Sequence, residues 1–129
     1  MNKIYIISSI LLLLLLYLLI SLSYNDNNYK LSGGYNFDKE HKHITGRIDI
    51  PPNVINYKYN DDYIIVKQRP TEIHNAIYDK MNYVYKYGKD NIYYWIIIHK
   101  DSIVLGPIDS LEYIKAREKY HIPEKLNLQ

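Results

Sequence analysis

Two histidines at alternate positions, His41 and His43, have the residue type and spacing in this chain best suited to chemistry. They lie in the segment DKEHKHI, close to Asp38 and Glu40. Side chains two residues apart on a β-strand share a face, so both imidazoles can reach one zinc ion, and a carboxylate is a common further ligand. The simpler interpretation is that these are solvated side chains beside a turn. We favour it, and from sequence alone we predict no metal-binding residue.

Other titratable residues also have structural explanations. Asp61 and Asp62 are adjacent in a predicted turn, where their side chains point in different directions. His99 ends an apolar strand, which suits a satisfied or half-exposed histidine, and His74 and His121 have no suggestive neighbours. No Gly-x-Ser-x-Gly or Ser-x-x-Lys motif occurs in the sequence. We therefore predict no catalytic residue, no cofactor-binding residue, no cofactor and no enzymatic activity.

We predict structural rather than functional roles for two more side chains, Arg69 and Trp95. Arg69 leaves a hydrophobic strand in Gln68-Arg69-Pro70, where we favour a loop clamp over a carboxylate-binding role. Trp95 is the sole tryptophan and lies in the most apolar strand. We predict that it belongs to the core and that its indole N–H needs one buried partner.

The composition excludes several kinds of site and makes a nucleic-acid partner unexpected. The 129 residues include no cysteine, which excludes disulfides, cysteine-based zinc sites and a lipid-modified cysteine. The net charge is +2, and acids and bases alternate without a basic block, so we expect no nucleic-acid partner. Sixteen tyrosines suit a recognition surface. The favoured explanation for their number is the codon usage of an AT-rich genome.

Residues 1–23 are predicted to be a membrane anchor or signal segment. Residues 4–22 form a run of 19 residues without a charge, and a helix of that length reaches roughly 28 Å, the thickness of a bilayer's hydrocarbon core. The run exceeds the apolar region of about 7 to 15 residues in a signal peptide. We favour a retained anchor over cleavage near Ser23. With Lys3 on the cytoplasmic side, the rest of the chain is exported.

We predict a linker over residues 24–30 and one small domain over residues 31–129. Gly33-Gly34 is predicted to turn the chain into an extended segment that pairs with a strand over 43–50, which Pro51-Pro52 ends. A hairpin follows, with strands over 54–59 and 63–68 around Asn60-Asp61-Asp62. An amphipathic helix is predicted over 71–88. The residues assigned to its ends and inner face are Thr71, Ile73, Ile77, Met81, Val84 and Gly88.

The last third of the chain contains the most organised pattern, YYWIIIHKDSIVLGPIDSLEY. It predicts a central strand over 93–99, a turn, and a strand over 103–105 that Gly106-Pro107 breaks. Asp109 and Glu112 fit a capping box for a helix from Ser110 to about Tyr120. Its predicted inward side chains are Leu111, Tyr113 and Ile114. The expected architecture is α+β: an N-terminal transmembrane helix, then an antiparallel meander of about five or six strands with two helices packed on one face.

Several of these motifs carry a family resemblance. LSGGY, DDYIIVKQRP, YYWIIIHKDSIVLGPID and the helix ending in HIP together resemble a family of short bacterial secreted or lipoprotein-like proteins catalogued as a domain of unknown function. The resemblance spans about residues 31–123. Many members have a lipid-carrying cysteine, whereas this chain has none, so its tether would be the apolar helix. The resemblance implies location and fold, but no activity, cofactor or catalytic residue.

These observations lead to one functional hypothesis and two alternatives. The leading hypothesis is a membrane-anchored extracytoplasmic binding or interaction module without catalysis. The alternatives are a metal-dependent or motif-less enzyme that uses His41 and His43, and an envelope inhibitor or immunity-type protein. We expect the lipid bilayer to contact residues 4–22, and an envelope protein is the class of partner that suits an exported domain. The expected location is the cell membrane, single-pass, with the C-terminal domain outside the cytoplasm, or secretion after cleavage near Ser23.

Overall fold

The computed structural model describes residues 2–23, 27–73 and 83–129. Within these ranges the chain forms two α-helices, seven β-strands and one short 3-10 helix. In chain order they are α1 (Lys3–Ser23), β1 (Asn28–Lys30), β2 (Asn36–Asp38), β3 (His43–Thr45), β4 (Val54–Tyr59), β5 (Tyr63–Gln68), β6 (Tyr93–Ile98), β7 (Ile103–Ile108), α2 (Ser110–Lys119) and the 3-10 turn Glu124–Leu126.

The strands of the described residues form two antiparallel sheets, one ordered β1-β2-β3 and the other β4-β5-β6-β7. The broad α+β class is confirmed, but the prediction of a single sheet of five or six strands is wrong. The reason is that Ile44, in the middle of β3, and Ile50 exchange both backbone hydrogen bonds, so the chain turns back on itself after Thr45. The predicted strand over 43–50 therefore stops at Thr45, and a new sheet begins at Val54.

Three residues of the predicted linker belong to the first sheet. Strand β1 pairs along its length with β2, with Tyr29 opposite Phe37. The rings of these two residues are stacked, with centroids 6.4 Å apart.

The four-stranded sheet is covered on both faces, which makes three layers. Alternate residues of its central strands point to opposite sides, as the two-residue period of a strand requires. One face packs on the first sheet through Tyr35, Ile44, Ile50, Val54, Ile64, Val66, Trp95 and Ile97. The other packs on α2 and the C-terminal segment through Ile65, Tyr94, Ile96, Ile98, Tyr113, Ile122, Leu126 and Leu128. All six residues of β6 are buried, which confirms its prediction as a central strand.

Helix α2 begins at the predicted residue. The Asp109 carboxylate accepts a hydrogen bond from the backbone N–H of Glu112 at 2.8 Å and caps the first turn. Tyr113 is fully buried and stacks on Tyr94, with centroids 4.1 Å apart. Tyr113 defines the inward face of the helix. The partly buried residues Ala116, Arg117 and Tyr120 follow it by three, four and seven positions, which places them on the same face.

The prediction that Leu111 and Ile114 point inward is wrong. Their side chains are 60% and 46% exposed. They lie on the side of α2 away from Tyr113, because the stacking of that ring on β6 fixes the rotation of the helix.

Gly106-Pro107 does not break β7, which continues to Ile108. Pairing shifts at this point, from Ile96 opposite Leu105 to Tyr94 opposite Ile108. The extra residue on β7 is accommodated as a bulge. Gly106 lies against the Trp95 ring, where a β-carbon would overlap the indole. The strand therefore tolerates the dipeptide because glycine permits this close approach.

The predicted helix over 71–88 lies largely outside the described residues, since 74–82 are not among them. Its predicted C-terminal end is wrong, because residues 83–88 are not helical and Val84 is 79% exposed. Tyr83 and Tyr85 are partly buried while the residues between and after them are exposed, which is an alternation typical of extended chain. Gly88, with φ +76°, then closes a turn by donating its N–H to the Tyr85 carbonyl at 3.0 Å.

Helix α1 is apolar, and its described side chains, from Lys3 to Leu22, are exposed. Residues Lys3–Leu22 form the one helix among the described segments that is long and apolar enough to cross a membrane. An anchor and a signal sequence both have this character.

Gln68 is the one buried polar residue found among the described core side chains. Its Oε1 accepts the Trp95 indole N–H at 2.7 Å, which confirms the predicted need of that group for a partner. Its amide donates to the Pro51 carbonyl at 2.9 Å and to the Tyr85 hydroxyl at 3.0 Å. Gln68 thus joins β5, β6, the loop between the two sheets and the segment before β6.

Replacing Trp95 by Phe should destabilise the domain, because the Gln68 carbonyl oxygen would then be buried without a donor, at a cost of about 1–3 kcal/mol. Urea unfolding of the detergent-solubilised chain measures the change. The matched control is a double-mutant cycle with Gln68→Leu. Since the two groups share one hydrogen bond, the combined loss should fall short of the sum of the single losses. Additive losses would contradict a direct interaction.

Candidate metal centre

A β-hairpin gathers three candidate ligands at one end of the first sheet. Asp38 ends β2 and His43 begins β3, and the two are direct cross-strand partners. His41 lies in the connecting turn, and the next residue in that turn, Lys42, has φ +51°. The Lys42 carbonyl accepts the Val54 backbone N–H at 2.8 Å, which fastens the turn to the start of the second sheet. Three side chains from a six-residue segment therefore meet because the hairpin is this short.

Both imidazoles contact the same carboxylate oxygen. His41 Nδ1 lies 2.8 Å and His43 Nε2 lies 3.2 Å from Asp38 Oδ2. The two rings have centroids 5.6 Å apart. One ligand atom from each of the three residues falls within 4.8 Å of the others.

The turn itself orients the carboxylate. Asp38 Oδ1 accepts the backbone N–H groups of Glu40 at 2.9 Å and of His41 at 3.1 Å. With Oδ1 occupied by the backbone, Oδ2 faces the histidines. Glu40, which the sequence places beside the pair, contributes its backbone N–H, and its carboxylate lies outside the cluster.

The electrostatics of the pair follow from this contact. The hydrogen bond from the His41 side chain, helped by the backbone N–H of His41, lowers the pKa of Asp38 from 3.8 to about 2. The same contact raises the pKa of His41 above 6.5. The Asp38 contribution to stability is present above pH 3.8 and is lost as the pH falls toward about 2. The His41 contribution is present below pH 6.5 and is lost as the pH rises through the raised value.

A separate cavity of about 240 Å³ has Gly33, Arg47, His99 and Ser102 among its lining residues. Ser32 Oγ is 2.8 Å from His99 Nε2, and Arg47 donates to the Ser102 carbonyl at 2.9 Å at the cavity wall. Of these residues, His99 and Arg47 line the cavity, and an imidazole and a guanidinium together suit a small anionic group. The described lining residues include no carboxylate to orient the imidazole, so the serine and histidine do not complete a Ser-His-Asp arrangement there.

Sequence reasoning missed this cavity because Ser32 and His99 are 67 residues apart. His99 was predicted to be satisfied or half-exposed, and its contact with Ser32 confirms that its ring has a hydrogen-bond partner. One signal was available in the glycine pair. Gly33 has φ +63°, and a β-carbon there would overlap the His99 ring, so glycine leaves the space that the histidine fills.

The other candidates occupy structural positions. Asn60 Oδ1 accepts the backbone N–H groups of Asp62 and Tyr63, both at 2.9 Å, which confirms the turn interpretation of Asp61-Asp62. Arg69 donates to the Asp90 carbonyl at 3.3 Å and clamps the loop before β6, as predicted. His121 follows α2 with φ +53°. His74 lies outside the described residues.

Comparison with known proteins identifies a family and no function. Residues 22–129 match the family described as "Protein of unknown function (DUF3997)". This is in keeping with the resemblance drawn from the sequence motifs. The chain matches no curated protein and no solved structure.

The hydrogen bond to Asp38 should be visible in the titration of His41. By NMR, in the presence of a chelator, His41 should titrate above 6.5, and Asp38→Asn should bring its pKa down toward 6.5 because the partner carboxylate is gone. Glu40→Gln is the matched control, since its charge is the smallest contributor and should have the smaller effect. An unchanged His41 pKa in Asp38→Asn would contradict the contact.

The two glycines before β2 offer an internal control for the cavity. Gly33→Ala and Gly34→Ala both place alanine at positive φ, at a strain of about 1 kcal/mol each. Only at Gly33 would the methyl group also overlap His99; nothing lies within 4 Å of it at Gly34. Thermal unfolding should therefore show a clearly larger loss for Gly33→Ala. Equal losses would mean that His99 does not occupy this space.

Proposed function

This chain belongs to the DUF3997 family of proteins of unknown function, and from that premise we propose that it is a membrane-anchored extracytoplasmic protein that binds a partner without catalysis. The observation that carries the proposal is the exposure of the apolar helix α1. Residues Lys3–Leu22 are uncovered by the rest of the described chain. An apolar surface of this length is stable in lipid and costly in water.

The proposed topology follows from the flanking charges. Lys3 keeps the amino terminus on the cytoplasmic side, so the domain that follows α1 lies outside the cytoplasm. Residues 24–27 separate the end of α1 from β1. Four residues span at most about 14 Å when extended, so the domain stays next to the bilayer surface. The alternative is cleavage near Ser23, which would release the same domain. A measurement of the mature mass distinguishes it from a retained anchor.

A run of aromatic rings supports a role in binding. Phe37 packs against Tyr57 with centroids 4.7 Å apart, and Tyr29 and Tyr59 extend the run on either side, each 6.4 Å from its neighbour. Tyr29 and Tyr59 are about half exposed. Tyrosine combines apolar area with a polar group, which is why it is frequent at recognition surfaces. This strip crosses from the first sheet to the second, and we propose it as the contact surface for a protein of the cell envelope.

The anchor is tested by fractionation of the intact chain with a small non-histidine C-terminal tag. The protein should sediment with membranes, resist extraction by high salt, dissolve in detergent, and have a mass that includes residues 1–23. Added protease should digest the domain from the outer side. Leu13→Arg with Leu14→Arg should abolish insertion, because each arginine costs about 2.5–3.5 kcal/mol at the centre of a span.

The matched control is Leu13→Val with Leu14→Val, which keeps the segment apolar and should insert normally. A mature mass that begins near Tyr24, with protein in the medium, would favour secretion over anchoring. Recovery of the intact chain as a soluble cytoplasmic protein would overturn both.

A further inference from the structure

We propose that Asp38, His41 and His43 bind one transition-metal ion of the zinc type. This inference goes beyond the proposed membrane location and does not depend on it. The three residues supply two imidazole nitrogens and one carboxylate oxygen from a single hairpin. Zinc accepts these ligands, and three protein ligands leave a fourth position for water or a partner's side chain.

The donor set selects the class of ion. Imidazole suits zinc, copper, nickel and iron, whereas calcium and magnesium prefer shells made of oxygen. Asp38 offers only Oδ2, because its other oxygen is held by two backbone N–H groups. One oxygen and two nitrogens therefore favour a borderline metal over a hard one.

The observed spacing is close to that of a bound site. Ligand atoms bonded at 2.0–2.2 Å to a tetrahedral ion lie about 3.3 Å apart. The two contacts to Asp38 Oδ2 measure 2.8 Å and 3.2 Å. Since the ligand atoms lie within 4.8 Å of one another, the imidazoles need to approach by no more than about 1.5 Å. The His41 side chain is 64% exposed and can turn, while His43 is held in β3.

The carboxylate already has the orientation that coordination requires. Its rigidity comes from the cross-strand register with His43 and from the backbone hydrogen bonds to Oδ1. Binding would exchange the two histidine contacts on Oδ2 for bonds to the ion. The hairpin would then be closed by the metal, so the ion should also stabilise the fold.

The experiment is a zinc titration of the full-length chain in detergent micelles, without a polyhistidine tag, by calorimetry. One zinc ion should bind per chain and raise the unfolding temperature, and calcium should do neither. His41→Ala and His43→Ala should each weaken zinc binding at least tenfold and remove the thermal shift. Because His41 lies in an exposed turn, His41→Ala is the variant expected to keep the fold whatever happens at His43.

Two controls separate coordination from general attraction of a cation. Glu40→Gln removes a neighbouring negative charge without removing a ligand, and His121→Asn removes a histidine outside the cluster while tolerating its positive φ. Both should bind zinc as the unaltered protein does. Absence of stoichiometric zinc binding, or unchanged binding in a folded His41→Ala, would overturn the proposal. Neither result bears on whether the chain sediments with membranes.

Discussion

The hydrogen bond between the Trp95 indole and the Gln68 carbonyl oxygen lies at the centre of the fold. Both side chains are fully buried, so each polar group depends on the other for the partner that water would otherwise supply. The side-chain NH₂ group of Gln68 also needs partners, and it donates hydrogen bonds to the Pro51 carbonyl and the Tyr85 hydroxyl. The exit of β5, the middle of β6 and the passage between the sheets are consequently positioned together. The first sheet, with its histidine hairpin, is joined to the second at this passage.

Local signals explain which parts of the fold were predictable. The β4–β5 hairpin was predicted with its observed bounds, because Asn60 supplies the turn and two β-rich runs flank it. Likewise, Asp109 caps α2 where the sequence indicates. The errors arose where distant packing decides. Nothing near Leu111 indicates that Tyr113 will stack on Tyr94 and turn the helix, and the bulge at Gly106 depends on the tryptophan opposite it.

The candidate sites show the same division. The two-residue spacing of His41 and His43 raised a shared metal as the alternative to solvated side chains, which were the favoured interpretation. The sequence could not choose between Asp38 and Glu40 as the neighbouring carboxylate, because that choice depends on the hairpin register, which places Asp38 opposite His43. The simpler interpretation of solvated side chains missed the backbone bonds that orient this carboxylate. The contact between Ser32 and His99 could not be predicted from the sequence, because the two residues are 67 positions apart.

The outer layer on the second face ends with the last residues of the chain. Ile122, Leu126 and Leu128 cover the side of β6 that also contacts α2. The covering of that face of β6 therefore depends on residues that come more than twenty positions later in the sequence. Proteolysis ahead of Ile122 would expose to water apolar side chains that are buried in the intact domain.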